Sequence, residues 1–389
     1  MRAALIAFVA LAACARQQSP APDAAAVADA APQTVKVETL ATGLKFPWSM
    51  AFLPGGDMLI VEKAGGLRIF RNGALLPDPV SGLPAGVLVN SDSGLHDVAL
   101  DPDFESNRRV FIAYAEGDED ANHLAIWRAR LEGARLVGGE KIFQTSPDKA
   151  GHSHPGGRIA FLADKTLLVS VGDGYDYRGE AQNLSSDLGK ILRLDRNGKA
   201  PADNPFFGRS DARPEIWTYG HRNPQGLVID SETGVVWEHE HGPRGGDEIN
   251  RLVAGANYGW PLTTNGIDYD GTLVSEHAHA AGISSPLIIW APSIAPSGLA
   301  VYRGSEFPDW NGHFLAGALA AKRLVRAQLI NDGRTISESA RLLENIDARI
   351  RDVRVGPDGL VYVLTDEPDG RLIRLRRPKP VAGGASPEN

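Results

Sequence analysis

Short apolar runs separated by turn residues dominate the chain from about Thr34 onward. The stretch W-S-M-A-F-L-P-G-G-D-M-L-I-V-E, which begins at Trp48, places a Pro/Gly/Asp turn between two apolar runs. Runs of this length bounded by Gly, Pro, Asp and Asn are typical of β-strands. Long stretches with the periodicity of a helix are not evident, so the pattern predicts an all-β body.

The strand–turn–strand unit occurs six times. Its copies begin at Trp48, Leu95, Gly157, Asn223, Pro296 and Ile350. They therefore recur every 47 to 73 residues, and one propeller blade takes about 40–50 residues. With extra loops in the longer intervals, the sequence predicts a single domain, a six-bladed β-propeller over residues 35–378. A pair of β-sandwiches is the alternative.

The first residues follow a different pattern. Met1 and Arg2 precede an apolar run over residues 3–13, which ends in Leu11-Ala12-Ala13-Cys14. The run is too short to span a bilayer. It resembles the lipobox of a bacterial lipoprotein, which implies a signal over residues 1–14, lipid attachment at Cys14 and export to the periplasm, anchored to the outer membrane. An ordinary cleaved secretory signal is the alternative.

Two terminal segments lack any periodicity. Residues 15–34 are rich in Ala, Pro, Gln and Asp, a composition that predicts a flexible tether. Residues 379–389 are expected to form a flexible C-terminal tail. Neither segment is expected to belong to the folded body.

Composition and charge narrow the function. The chain has 389 residues, 43% of them hydrophobic, and a formal net charge of −8. Without a basic field, binding of nucleic acid is not expected. One cysteine excludes an intrachain disulfide, a cysteine-based zinc site and an iron–sulfur cluster.

Polar side chains gather in loops that precede predicted strands. The loop G-H-S-H-P-G-G-R, residues 151–158, carries His152 and His154. Basic or amide side chains recur near other units, at Arg222, Asn223, Gln225, Lys322, Arg349 and Arg351. Gathered at one mouth of a propeller, they would bind an anion with several carboxylates or phosphates, because the guanidinium fork matches a carboxylate.

Explanations other than an anion-binding site are also possible for these residues. Arg349 and Arg351 could form a solvated strand face, and His152 and His154 could cap backbone groups. The H-x-H pair and the E-H-E-H string at residues 238–241 could also form a zinc site, since His and Glu are zinc ligands.

Several strings together resemble a known family. They are S-H-P-G-G-R-I, G-K-I-L-R-L-D, G-H-R-N-P-Q-G-L, H-G-P-R-G-G-D-E-I-N and G-x-N-Y-G-W-P. In this order they look like the glucose/sorbosone dehydrogenase family, soluble aldose and glucose dehydrogenases that use pyrroloquinoline quinone (PQQ). The resemblance covers about residues 38–376 and implies a six-bladed propeller.

The resemblance also implies roles for individual residues. His154 matches the catalytic base, and Arg222 matches a cofactor-binding residue that also lies near the reacting carbonyl. The residues that match those holding the quinone are Arg222, Asn223, Gln225, Lys322, Arg349 and Arg351. His154 would take the anomeric proton of an aldose while hydride leaves C1 for the quinone. The product would be a lactone, and electrons would pass to an external acceptor.

Calcium is implied by the same resemblance. The backbone carbonyls of Gly242 and Pro243 match ligands of a calcium ion beside the cofactor, and calcium readily takes carbonyl oxygens. A second calcium ion would be held by Glu248, the carbonyl of Tyr258 and Asp268.

The sugar side departs from the family pattern. Ser153, Gly174, Asp92 and His96 differ from the residues of the glucose-specific enzymes. Asp92 and Trp290 are the candidate substrate-side residues, with Trp290 at the rim of the site. These departures predict that cofactor use is retained and that the preference among sugars is altered or broadened.

Two other functional classes remain possible from the sequence. One is a calcium-dependent lactonase or esterase propeller, which would place carboxylates or amides round a metal on the propeller axis. The other is a non-catalytic surface propeller that binds a carbohydrate or a protein.

Overall fold

The structure, a computed structural model, describes residues 35–378. The predicted signal over residues 1–14 with Cys14, the tether over residues 15–34 and the tail over residues 379–389 lie outside the described residues. Within residues 35–378, no helix is long and apolar enough to cross a membrane.

The described chain forms six four-stranded antiparallel sheets. The first strand is β1, Lys36–Leu44. Blade 1 comprises β2 Pro47–Phe52, β3 Met58–Glu62, β4 Gly66–Arg71 and β5 Ala74–Leu75. Blade 2 comprises β6 Leu95–Leu100, β7 Arg109–Gly117, β8 Asn122–Glu132 and β9 Arg135–Gln144. Blade 3 comprises β10 Gly156–Phe161, β11 Leu167–Val171, β12 Lys190–Leu194 and β13 Ile216–Tyr219.

The remaining blades follow the same order. Blade 4 comprises β14 Pro224–Ile229, β15 Val236–Glu240, β16 Asp247–Arg251 and β17 Ile288–Trp290. Blade 5 comprises β18 Pro296–Val301, β19 Phe314–Ala318, β20 Arg323–Ile330 and β21 Thr335–Leu342. Blade 6 comprises β22 Ile350–Val355, β23 Val361–Thr365, β24 Gly370–Arg376 and β1. Helical turns are short: α1 Phe104–Asn107 and the 3₁₀ turns Arg178–Gln182, Pro308–Trp310 and Glu344–Ile346.

The predicted six-bladed propeller is confirmed, and every predicted unit begins within one residue of an innermost strand. The innermost strands β2, β6, β10, β14, β18 and β22 contact one another in a closed ring. The last repeat supplies three strands, and β1 pairs antiparallel with β24 to complete blade 6. This closure by the N-terminal strand was not predicted.

Side chains that point alternately to the two faces of each strand form the core between the blades. In β3, Met58 and Ile60 pack between blades 6 and 1, whereas Leu59 and Val61 pack between blades 1 and 2. Successive side chains point to opposite faces of a sheet, so a sheet covered on both faces needs an uninterrupted apolar run. The six buried clusters correspond to the six interfaces between blades.

A register irregularity follows the first residue of every innermost strand. Bulges of this kind redirect side chains and are frequent beside active sites. Hydrogen bonds join the first two residues of neighbouring innermost strands, as from the Ser297 hydroxyl to the Ile350 carbonyl at 2.6 Å. These first residues therefore share one end of the channel, called here the entry mouth.

Four charged side chains fill the channel below the entry mouth. Arg158 Nη1 lies 3.1 Å from Asp352 Oδ1. Arg354 contacts Asp352 at 3.0 Å and Asp97 at 3.2 Å. Pairing balances the cost of burying each charge, so this axial cluster joins blades 2, 3 and 6.

Candidate active site

His154 lies at the entry mouth and is held by a carboxylate. Its Nδ1 atom lies 2.7 Å from Oδ1 of Asp173, whose side chain is buried. A carboxylate only accepts hydrogen bonds, so Nδ1 carries the proton and Nε2 keeps a free lone pair. A second group that orients the imidazole in this way is the usual support for a general base.

Asp173 is itself fixed by two further donors. Its Oδ1 atom accepts the Tyr175 backbone N–H at 2.8 Å, and its Oδ2 atom accepts the Trp260 indole N–H at 2.7 Å. The Trp260 ring faces the Arg222 guanidinium, with 5.3 Å from Cζ to the ring centroid. Neither Asp173 nor Trp260 was assigned a role from the sequence, although Trp260 lies in the string G-x-N-Y-G-W-P noted there. Asp173 contacts His154, and Trp260 contacts both Asp173 and Arg222.

Burial sets the charge of His154. Desolvation lowers the pKa of His154, Asp173 opposes that shift, and the Arg222 charge adds to the lowering. The pKa therefore lies below the ordinary value of about 6.5. The imidazole is neutral at pH 7, the state in which Nε2 can accept a proton.

Arg222 connects the base to the loop after β15. Its Nη1 atom donates to the carbonyls of His241 at 3.1 Å and Gly242 at 2.8 Å. Its own carbonyl accepts the Asp173 backbone N–H at 2.7 Å. The Gly242 carbonyl, a predicted calcium ligand beside Pro243, is thus directed towards the same guanidinium.

The amides that follow Arg222 are also ordered. Gln225 Nε2 donates to Asn223 Oδ1 at 3.1 Å, and the Asn223 backbone N–H donates to Glu240 Oε2 at 3.2 Å. Glu240 also accepts the backbone N–H of Arg222. The structure therefore brings the predicted residues Arg222, Asn223 and Gln225 together at the start of β14.

Arg349 and Arg351 share one carboxylate at the start of β22. Asp366 Oδ2 lies 2.7 Å from Arg351 Nη2 and 3.3 Å from Arg349 Nε. Burial alone would raise the pKa of Asp366, but Arg351, Arg349 and Lys63 hold it below its ordinary value. Lys63, which follows β3, is a cation of this group that sequence reasoning missed.

Lys322 lies at the entry mouth but in a different part of its blade. It lies in the turn between β19 and β20, not before an innermost strand, and its Nζ atom pairs with Asp347 at 2.8 Å. Lys322 is therefore an exception to the expectation that the polar side chains lie in loops preceding the predicted units. Antiparallel order nevertheless brings this turn to the same end of the channel as Asp347, which precedes β22.

Several buried polar atoms in this region lack a hydrogen-bond partner within residues 35–378. They are both ring nitrogens of His96 and Nε of Arg351. His96 is fully buried, and burial and the charges of Arg351 and Lys63 lower its pKa to about 3. Unsatisfied buried donors and acceptors are costly, so these atoms indicate where a polar ligand would fit.

The candidate substrate-side residues separate in the structure. Asp92 is exposed, and its charge acts on both His154 and Lys63 at the entry mouth. Trp290 instead packs into the core between blades 4 and 5 and donates its indole N–H to Glu338 at 2.7 Å. The side chain of Trp290 is therefore not presented to the entry mouth, because it completes an interface between blades.

The predicted residues of the second calcium site do not all meet. Glu248 and Tyr258 line one small cavity of about 10 Å³. Asp268 does not line that cavity and pairs with Arg178 at 2.8 Å. The site with all three ligands stays a prediction.

The zinc alternative finds no support in the histidine contacts. His152 pairs with Glu119 at 3.1 Å and His154 with Asp173, while His239 and His241 contact the carbonyls of Gly298 and Pro296. Each of the four histidines thus has a separate partner.

A buried cluster of His221, Glu238 and Glu240 has ligand types that suit a metal. Burial alone would lower the pKa of His221, but the two glutamates raise it to about 9. The imidazole is therefore charged at pH 7 and lies 3.4 Å from Glu240 and 3.5 Å from Glu238, while Oε2 of Glu238 has no hydrogen-bond partner within residues 35–378.

Comparison with known proteins identifies the relatives of this chain. The sequence model of the family Glucose / Sorbosone dehydrogenase matches residues 44–374. The chain is 41% identical over 352 residues to Aldose sugar dehydrogenase YliI from Escherichia coli (strain K12), with 89% of this chain and 94% of the relative covered.

Two solved structures share the fold and the length. The soluble aldose sugar dehydrogenase from Escherichia coli, in its apo form, is 40% identical with a TM-score of 0.85 and covers 89% of this chain and 100% of its own. The PQQ-bound form of the aldose sugar dehydrogenase from Streptomyces coelicolor is 28% identical with a TM-score of 0.72, and covers 89% and 99%.

Proposed function

The chain belongs to the glucose/sorbosone dehydrogenase family, and we propose that it oxidises aldose sugars at C1 to the lactone with PQQ as its cofactor. The observation that carries the proposal is the His154–Asp173 pair, which shares one channel mouth with the cations of Arg222, Arg349 and Arg351. This arrangement combines a base with a site for an organic anion.

The residues at the entry mouth fit PQQ by their chemistry. PQQ carries several carboxylates, and guanidinium groups recognise carboxylates in a bidentate manner. The unpartnered Nε of buried Arg351 and the unpartnered ring of His96 supply polar atoms that a planar anion would satisfy. The residues that would hold PQQ are Arg222, Asn223, Gln225, Lys322, Arg349 and Arg351.

A calcium ion beside the cofactor is a second part of the proposal. The carbonyls of Gly242 and Pro243 are the oxygen type that calcium prefers. The contact from Arg222 to the Gly242 carbonyl keeps that loop at the entry mouth. Calcium would act there as a Lewis acid.

The protein's own part in the reaction is proton transfer and orientation. When bound, PQQ supplies an electron-deficient quinone that accepts hydride. His154 Nε2 takes the proton of the anomeric hydroxyl, and Asp173 holds Nδ1 and stabilises the resulting imidazolium. The aldose thereby loses a proton and a hydride to become a lactone, and the two electrons pass to an external acceptor.

The alternatives have less support. Asp97 and Asp352, the carboxylates of the axial cluster, are paired with arginine, whereas a metal-dependent hydrolase needs free ligands there. A purely carbohydrate- or protein-binding propeller gives no reason for the oriented base of the His154–Asp173 pair.

The test is reconstitution of the purified protein with PQQ and calcium. The protein should bind PQQ, measured by absorbance, and reduce an electron-accepting dye when an aldose is added. His154→Gln should keep PQQ binding and lose turnover. The matched control is His152→Gln, a substitution two residues away at a histidine paired with Glu119, and it should keep both. If no aldose supports dye reduction by the PQQ-loaded protein, the proposal is wrong.

Anchoring of the exported protein is a separate proposal. The lipobox ending in Cys14 supports a periplasmic protein attached to the outer membrane by acyl chains. Cys14→Ser should move the protein from the membrane fraction to the soluble fraction without changing its turnover.

A further inference from the structure

Lys149 is a buried cation at the entry mouth that the proposed chemistry does not use. The residue is 5% exposed, and its Nζ atom donates to the Gly151 carbonyl at 2.8 Å. A lysine ammonium has three N–H donors. The hydrogen bond found within residues 35–378 uses one of them, so the group has capacity for a further acceptor.

The backbone places Lys149 firmly beside the base. Its N–H and carbonyl exchange hydrogen bonds with Asn122, both at 2.9 Å. Lys149 and His154 line the same cavity of about 10 Å³, which is too small for a sugar but shows that the two residues are neighbours. A sugar that reaches His154 from the entry mouth would therefore come close to this lysine.

Gly174 makes room for the lysine stem. A β-carbon on Gly174 would lie 2.6 Å from Lys149 Cδ and 3.2 Å from Tyr177 Cδ2. Gly174 also has a φ of +74°, which most side chains avoid. The Lys149 stem thus occupies the space that a side chain at position 174 would fill, and it brings an ammonium to this side of the mouth.

Carboxylates surround the ammonium. Burial lowers the pKa of Lys149 to about 8, and Glu119, Asp173, Asp92 and Asp176 oppose that shift. An anionic ligand would be repelled by these four groups, whereas a hydroxyl can accept from the ammonium and donate to a carboxylate. This part of the mouth is therefore suited to a neutral polyol.

We propose that Lys149 is a specificity-determining residue whose ammonium donates a hydrogen bond to a hydroxyl of a neutral aldose positioned at His154. The inference rests on the proposed function, since it assigns the sugar side of the same site. A charge-assisted hydrogen bond of this kind changes binding by about 10- to 100-fold.

The test asks whether the Lys149 side chain contacts one particular hydroxyl of the sugar. Wild type and Lys149→Met, both loaded with PQQ, are assayed with glucose and with 2-, 3-, 4- and 6-deoxyglucose. Lys149→Met should lower kcat/KM for glucose about 10- to 100-fold, mainly through KM, with unchanged PQQ affinity. For one deoxy sugar, the loss of kcat/KM caused by Lys149→Met and the loss caused by the missing hydroxyl should not add. The reason is that the substitution and the missing hydroxyl remove the same contact.

Controls separate this inference from the proposed function. Lys199→Met, at an exposed lysine, should behave as wild type, and Lys149→Leu, which also lacks a donor, gives the same cycle if the methionine variant does not fold. Additive losses for every deoxy sugar, or a preference for glucuronic acid over glucose, would overturn the role of Lys149 while turnover itself persists. Loss of aldose turnover in the PQQ-loaded wild type would instead overturn the proposed function.

Discussion

The backbone carbonyl of His154 lies so close to Gly172 that a β-carbon at position 172 would come within 2.1 Å of it. Gly172 ends the run from β11 and precedes Asp173, the carboxylate that orients His154. The close approach of these two backbones thus sets the distance between the proposed base and its partner.

Gly172→Ala should separate the base from its carboxylate. Because the collision is with backbone, relief requires movement of the His154 loop, and small displacements of catalytic groups reduce rates by about 10²-fold. We expect kcat to fall about 10- to 100-fold with PQQ affinity nearly unchanged. Gly179→Ala, where nothing lies within 4 Å, is the control. Wild-type turnover in Gly172→Ala would contradict the geometric argument.

Asp173→Asn should weaken the base and move its titration. An amide no longer enforces the proton on Nδ1, so kcat should fall about 10²- to 10⁴-fold. Turnover requires neutral His154, and the pKa of His154 is below its usual value, so the acid limb of kcat/KM lies below about pH 6.5. Since Asp173 raises that pKa, its neutralisation should shift the limb to lower pH.

The pH profile of kcat/KM measures this shift. The control is Asp148→Asn, which alters a carboxylate 2.9 Å from Nδ1 of a different histidine, His123. An acid limb that does not move, or moves to higher pH in Asp173→Asn, would show that His154 is not the titrating base.

Arg351 should contribute more to cofactor binding than Arg349. The side chain of Arg351 is 10% exposed and that of Arg349 is 45% exposed, and solvent screens the more exposed charge. Arg351→Ala should weaken PQQ binding about 10- to 100-fold and Arg349→Ala less than about 10-fold. Absorbance titration measures both, with the exposed Arg334→Ala as control. Equal losses would contradict the ranking.

Asp352→Asn should destabilise the fold through the axial cluster. In the wild type, Arg158 and Arg354 both contact Asp352. The substitution removes this negative charge, and an uncompensated buried charge costs about 3–5 kcal/mol. Urea unfolding should show a loss of that size, whereas Glu105→Gln at an exposed site should cost less than about 0.5 kcal/mol. An Asp352→Asn midpoint equal to that of wild type would exclude this role.

Features formed by residues that are close together in the sequence were predictable, whereas contacts between residues far apart in the sequence were not. The six strand starts were predictable because a strand's alternation and its bounding turns involve residues a few positions apart. The motif around His154 and that around Arg222 were recognisable for the same reason. Lys63 gave no comparable local signal, since it acts on Asp366 of another blade. Asp173 lies 19 residues from His154 in the sequence and meets it only because β10 and β11 pair antiparallel.

Ring closure decided what local patterns could not. The pairing of β1 with β24 joins the two ends of the described chain, and the contact of Trp260 with Asp173 spans two blades. Trp290 is the opposite case. Its sequence motif predicted a position at the rim of the site, but in the structure the side chain is buried between blades 4 and 5. The amino-acid sequence by itself determined the strands, their number and the chemical groups near their ends. Only the tertiary structure decided which of those groups meet, because their contacts form when the blades close around one axis.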